Sequence, residues 1–335
     1  MKELANMTFV DLFAGIGGFR IALEKFGAKC VFTSEWDKYA QKTYETNFGE
    51  TPKGDISLIS EKDISPHDIL CAGFPCQAFS ISGKQQGFED SRGTLFFEIA
   101  RIVKCHKPKI LFLENVANLK NHSDGKSILR MVEILEDMGY KVFYEVLNAS
   151  NYGVPQSRKR VYFIAFRQNL HVENFEFPLP TNEDVALEDI LVSNNEASNY
   201  IINREDIMLK NIEVAERANR PIRVGIINKG GQGDRIYSPK GHAITLSAYG
   251  GGSGAKTGAY LVDGVIRKLS PKECLAALGF PEGYILPVSD SQAWKQCGNS
   301  VAVPVLIKIM EQVVSNASVM KMMTNLKRDS IKKVG

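Results

Sequence analysis

The chain has 335 residues, 44% of them apolar and 24% charged, which suits one large or two medium globular domains and excludes a disordered polypeptide. A net charge of +3 is too small to mark a nucleic-acid partner by itself, so DNA, RNA and small-molecule substrates stay open and any basic surface must be local. The six cysteines contain no C-x-x-C pair and the five histidines form no ligand cluster, so no metal is expected; with no apolar leader and no apolar run of membrane-spanning length, the expectation is a cytoplasmic protein with reduced thiols.

Residues 8–13 read as a strand running into a glycine turn, and 19–26 as a helix stopped by Gly27. Further strands are expected at 29–33, just ahead of Asp55, at 68–71 and at 109–113. Helical periodicity covers 94–106 and 124–138, with Gly139 ending the latter, and strands at 142–147 and 161–166 complete the set. This alternation predicts an α/β fold, a doubly wound parallel sheet covered on both faces. After about Pro180 the pattern changes. Residues 182–219 are polar, and 223–263 combine short β-prone runs with Gly-Gly-Gln-Gly at 230–233 and Gly-Gly-Gly at 250–252, the marks of a smaller, loop-rich β domain. Residues 301–315 return to an apolar helical pattern, and 321–335 are basic and polar. The expected division is 1–185 for the first domain, 186–270 for the second, 271–298 for a hinge, 299–322 for a segment rejoining the first, and 323–335 for a basic tail.

Asp11-Leu-Phe-Ala-Gly15-Ile-Gly17-Gly18 joins the first strand to the first helix, and its glycines let a ligand approach the backbone at the carboxyl edge of the sheet. Glu35 follows the second strand, where a carboxylate can accept from both hydroxyls of a ribose. Trp36 beside it can pack on an adenine ring, and Asp55 in Gly54-Asp55-Ile56 can bind the adenine amino group. The same glycines also fit an NAD enzyme, which prefers G-x-G-x-x-G to the G-x-G-G seen here, or a turn that serves only the fold.

Ala72-Gly-Phe-Pro75-Cys76-Gln-Ala-Phe-Ser80 follows the next strand and puts Cys76 on a loop at that edge. Thiolate is the reactive form of cysteine. A lone cysteine is ordinarily buried and inert, a reading that suits Cys30, Cys71 and Cys105. Glu114-Asn115-Val116 projects to the same edge; a glutamate there is a solvated loop residue by default and a general acid beside an attacking thiol. In Gln156-x-Arg158-x-Arg160, alternation places both arginines on one face, either to hold a carbonyl oxygen or phosphate or as a solvated basic edge.

Together with Gly298-Asn299-Ser300-Val301, these motifs and their order resemble the cytosine-5 DNA methyltransferase family over nearly the whole chain. The resemblance implies an S-adenosylmethionine-dependent methyltransferase domain with an inserted target-recognition domain. It implies that Cys76 attacks C6 of cytosine, that Glu114 serves N3, and that Arg160 with Arg158 holds the ring oxygen. It assigns the cofactor to Phe13, Gly15, Gly17, Gly18, Glu35, Trp36, Asp55, Ile56, Pro75, Leu95, Asn299 and Ser300. The base must leave the stack to react. Residues 80–93, with Gly83, Lys84, Gly87 and Arg92, therefore resemble the family's closing loop, or form an ordinary surface loop. The second domain is similar to the HhaI-type branch, which implies the site GCGC with the inner cytosine methylated. Arg235 can pair bidentately with guanine and Gln232 can enter the duplex opposite Ser82, with Ser80, Lys84, Arg92, Thr245, Tyr249 and Lys256 as further DNA contacts. The glycine segments otherwise only turn a small β domain. The implied partners are double-stranded DNA, bound by a monomer, and a cognate restriction endonuclease. Two competing readings are an RNA cytosine methyltransferase of the same fold, which typically lacks a sizeable recognition domain, and a non-catalytic DNA-binding protein, against which Cys76, Glu114 and the glycine turn all speak.

Overall fold

The computed structural model describes residues 3–75, 95–181, 183–210 and 214–321. Its strands are β1 (Thr8–Leu12), β2 (Lys29–Ser34), β3 (Ile69–Gly73), β4 (Ile110–Val116), β5 (Tyr140–Asn148), β6 (Lys159–Arg167), β7 (Ile207–Leu209), β8 (Ile222–Ile227), β9 (Arg235–Ser238), β10 (Ala259–Val262) and β11 (Val265–Arg267). Its α-helices are α1 (Gly18–Lys25), α2 (Lys38–Phe48), α3 (Leu95–His106), α4 (Lys126–Asp137), α5 (Pro271–Ala276), α6 (Asp290–Asn299) and α7 (Val303–Ser315). The first six strands make one sheet in the order β2-β1-β3-β4-β6-β5. Strands buried on both faces read as continuous apolar runs, and residues 69–72 and 110–113 are fully buried. Phe9, Cys71, Phe112 and Ile164 lie under α1 and α7, while Leu70, Leu111, Leu113 and Phe163 lie under α3 and α4, so the fold has three α/β/α layers.

The sheet departs from the expected parallel one at β6, which runs antiparallel to both β4 and β5. The strand expected ahead of Asp55 is also absent. Only a single parallel bridge, Ser34 to Lys53, ties that segment to the end of β2. Helices α2, α5 and α6 were not anticipated, although their start signals stand in the sequence. Asp37 accepts from the Tyr39 amide at 2.9 Å to cap α2, and Ser270 with Glu273 forms a capping box on α5.

Strands β7 to β11 make a second sheet, with β9 and β10 parallel and the other pairs antiparallel. Its own core is small: Val224, Ile227, Ile236, Ala259 and Ile266. A further apolar cluster joins this sheet to the first unit through Tyr237, Leu246, Tyr260, Leu278, Cys297 and Val303. A buried Arg267–Glu273 ion pair at 2.7 Å reinforces the junction, both side chains being 0% exposed. The 26-residue run Asp290–Ser315 meets the length and composition of a membrane span, contrary to the reading of the sequence. Most of its apolar window is buried inside the protein, where α7 packs on α1 and the sheet.

Candidate active site

The parallel strands β1 to β4 deliver their carboxyl ends to one edge, and the strand order across the sheet reverses between β1 and β3, where α/β sheets hold ligands. There the turn after β1 carries Gly15 at φ +54° and Gly17 at φ +79°, conformations that side chains resist. A Cβ on Gly17 would stand 2.3 Å from the Phe48 ring, and one on Gly18 2.4 Å from Val301 Cγ2. The glycines therefore admit α2 and the 300–301 turn. Phe13 takes φ +56° without being glycine, a strain localised at this edge.

Glu35 accepts from the backbone amides of Gly15 and Asp37, each at 2.8 Å, and so locks the glycine turn to the end of β2. Burial pushes its carboxyl above the usual range, and those amides pull it partly back. Trp36 beside it is 76% exposed. Asp55 accepts from the Ser57 amide at 2.9 Å and its hydroxyl at 2.8 Å, and Ile56 is buried beneath it. Pro75 is exposed at the end of β3, Leu95 opens α3 half-buried, Asn299 is exposed and Ser300 buried. Arg158 holds the Gly298 carbonyl, and Gly18 approaches Ser300 Oγ, so the distant 298–300 turn lies beside the glycine turn.

The antiparallel course of β6 brings its first residues to that edge. Arg160 pairs with Val116 and Tyr162 with Glu114 in the ladder. Arg160 Nε stands 3.1 Å from Glu114 Oε1, with side chains 14% and 9% exposed. The N–H is not aligned on that oxygen, so the contact is an ion pair more than a hydrogen bond. Burial raises the Glu114 carboxyl, and the charges of Arg160 and then Arg158 oppose it. A buried carboxyl held toward its protonated form beside a guanidinium can donate a proton to a ring nitrogen while the arginine takes the neighbouring oxygen.

Arg158 does not share that face. It is 2% exposed and donates to the Leu246 carbonyl at 3.2 Å, the Gly298 carbonyl at 3.0 Å and the Ser300 carbonyl. The expected pairing of Arg158 and Arg160 fails because Arg158 precedes β6 and is not yet in its alternation. Asn115, passed over in the sequence as part of a motif, is fully buried and donates to the Phe74 carbonyl at 2.9 Å, which fixes the backbone leading into Pro75. An asparagine between two edge residues was the available signal. Cys76, Ser80, Ser82, Lys84 and Arg92 lie outside the described residues.

The two glycine segments of the second sheet form one surface. A Cβ on Gly233 would stand 1.8 Å from the Gly251 carbonyl oxygen, and the Ser253 amide donates to Asp234 Oδ1 at 2.8 Å. Gln232 and Tyr249 are exposed there and Arg235 is half-buried. Thr245 donates to the Ser157 carbonyl at 2.5 Å, one residue before Arg158. Lys256, expected to serve base edges or phosphates, donates its ammonium to the Ser291 carbonyl at 2.8 Å and hydroxyl at 2.9 Å on α6.

A family model described as C-5 cytosine-specific DNA methylase matches residues 7–315. Type II methyltransferase M.HhaI of Haemophilus parahaemolyticus is 53% identical over 315 residues, covering 94% of this chain and 96% of its own length. Type II methyltransferase M.HpaII of Haemophilus parainfluenzae is 46% identical over 316 residues, covering 90% and 87%. Among solved structures, the S. pombe Dnmt2 methyltransferase matches with a TM-score of 0.70 at 19% identity, covering 92% of this chain and 98% of its own, a likeness of fold alone. The non-catalytic and RNA-directed readings give way to these matches: the chain belongs to the C-5 cytosine-specific DNA methylase family and is a DNA (cytosine-5)-methyltransferase.

Proposed function

We propose that the protein methylates C5 of the inner cytosine of GCGC in double-stranded DNA, with S-adenosylmethionine as donor. The observation that carries the cytosine chemistry is the Glu114–Arg160 pair at the sheet edge that also holds the glycine turn, Glu35 and Pro75, and the 53% identity to M.HhaI supports the GCGC site. The donor set fits the cofactor: a buried carboxylate with lone pairs left for ribose hydroxyls, an exposed indole beside it, and a turn that brings backbone close. In this reading Phe13, Asp55, Ile56, Leu95, Asn299 and Ser300 supply the remaining cofactor contacts. When bound, the cofactor supplies an electrophilic sulfonium methyl.

The chain's own residues do the rest. The Cys76 thiolate forms a bond to C6, and the ring electrons move toward N3, where protonated Glu114 donates. Arg160 holds the ring oxygen. The enamine carbon C5 takes the methyl, a base then removes the C5 proton, and the electrons expel Cys76. The cytosine must be flipped out first. Arg235 reads a guanine through O6 and N7, Gln232 fills the gap, and Tyr249 meets the backbone or a base edge. The division proposed is a catalytic unit from 1–185 and 299–322 around a recognition unit at 186–270, acting as a monomer beside a cognate endonuclease. A thiol nucleophile suits a reducing cytoplasm. Bisulfite sequencing of a plasmid treated with the purified protein tests this: methylation at the inner cytosine of GCGC is expected, and methylation concentrated elsewhere refutes the site while leaving the enzyme class intact.

A further inference from the structure

Residues 155–158 form a seam between the two units. Ala243 donates to the Pro155 carbonyl at 2.7 Å and the Ser157 amide to the Ala243 carbonyl at 2.9 Å. Gln156, fully buried, donates to the Ala277 carbonyl at 2.9 Å and accepts from the Leu246 amide at 3.2 Å. Arg158 completes the seam: one guanidinium nitrogen holds the Leu246 carbonyl and another holds those of Gly298 and Ser300. Among the described residues no carboxylate forms an ion pair with it, although the Glu114 charge reaches it, and a buried cation whose hydrogen bonds all go to backbone carbonyls costs desolvation free energy. The same joint is closed from the other side. A Cβ on Gly298 would lie 2.2 Å from Ala248 N and 2.2 Å from the Ser247 carbonyl carbon, so only glycine lets the two backbones meet.

Leu246 leads into Thr245 and Tyr249 on the recognition surface, while Gly298 and Ser300 border the cofactor edge. We propose that Arg158 is a positioning residue that sets the spacing between the DNA-recognition loop and the cofactor turn, so that affinity for both substrates depends on a side chain that touches neither. The proposal rests on the functional reading above. A residue acting directly on the cytosine ring would instead change turnover and leave cofactor affinity alone.

The test uses the full chain and the variants Arg158→Met, Arg158→Lys and Gly298→Ala. Calorimetry measures S-adenosylhomocysteine binding, fluorescence anisotropy measures a GCGC duplex, and steady-state kinetics give both KM values. Arg158→Met should weaken both ligands by about tenfold or more, the scale for losing charged hydrogen bonds, with KM for each substrate rising more than kcat falls. Arg158→Lys should be intermediate. Gly298→Ala should weaken both ligands, and adding it to Arg158→Lys should cost less than the product of the single effects, because both loosen one joint. Arg158→Lys and Gly298→Ala carry the test if Arg158→Met does not fold. A loss of kcat with both affinities kept, a loss confined to one ligand, or fully multiplicative single effects would each overturn the proposal. A wild-type protein that binds no S-adenosylhomocysteine would bring down the functional reading and the proposal with it.

Discussion

Asp11 provides a sharp test of burial as an electrostatic force in this fold. It sits in β1 between Thr33 and Cys71 of the neighbouring strands, is 0% exposed, and neither carboxyl oxygen has a hydrogen bond of good geometry. Burial pushes its pKa from the ordinary 3.8 up to about 8; the charge and backbone amide of Arg20 oppose this only in part, and the Glu35 charge adds to it. The folded value is raised above the unfolded one. Asp11 therefore contributes stability that is fully present below about pH 4 and is lost as pH rises through about 8. Each pH unit in that window is worth about 1.4 kcal/mol, so about 4 kcal/mol is lost by pH 7 and somewhat more by pH 8. Asp11→Asn keeps the shape and cannot ionise. Its stability relative to wild type should rise steadily from mildly acidic to mildly alkaline pH, by several kcal/mol in all. Urea unfolding followed by circular dichroism at a series of pH values measures the difference, which cancels the titration of groups that do not interact with Asp11. A difference that stays flat with pH would falsify the assignment of a neutral, buried Asp11.

Arg160→Met removes the charge that opposes burial at Glu114, so Glu114 should keep its proton to higher pH; the alkaline limb of the kcat profile should move up as its plateau falls, and an unmoved limb would separate the two residues. Cys76→Ser should abolish methyl transfer from labelled cofactor and leave cofactor binding intact, since a hydroxyl is a far weaker nucleophile near neutral pH; near-normal turnover would remove Cys76 from the mechanism. Glu35→Ala should weaken S-adenosylmethionine binding by about 1–3 kcal/mol by calorimetry, both through ribose contacts and by freeing the Gly15 and Asp37 amides it holds; unchanged affinity counts against the pocket. Arg267→Met strands Glu273 inside the protein and should cost about 3–5 kcal/mol, read as a lower unfolding midpoint; an unshifted midpoint means the pair does not hold the junction.

What local pattern dictates was legible in the chain. Apolar runs bounded by glycine, proline or polar residues placed β1, β3, β4 and most helices, and the glycine turn, Glu35 and Glu114 fell at strand ends because strand ends are where the pattern breaks. Edge position follows from standing directly after a strand in the chain, and that is a one-dimensional property. Direction is not. Nothing in residues 159–167 says that β6 runs antiparallel, yet this alone carries Arg160 to Glu114. Pairing partners lie beyond the reach of local periodicity. Arg158 shows the same limit: two residues from Arg160, it looked like its twin, and tertiary packing turned it inward onto carbonyls contributed by residues 246, 298 and 300. Asp11 reads as one more charged motif residue until the sheet closes over it. The sequence alone determined which residue types stand at the edge and in what order. Only the tertiary structure decided which of them meet and which are buried, because both depend on contacts between segments far apart in the chain.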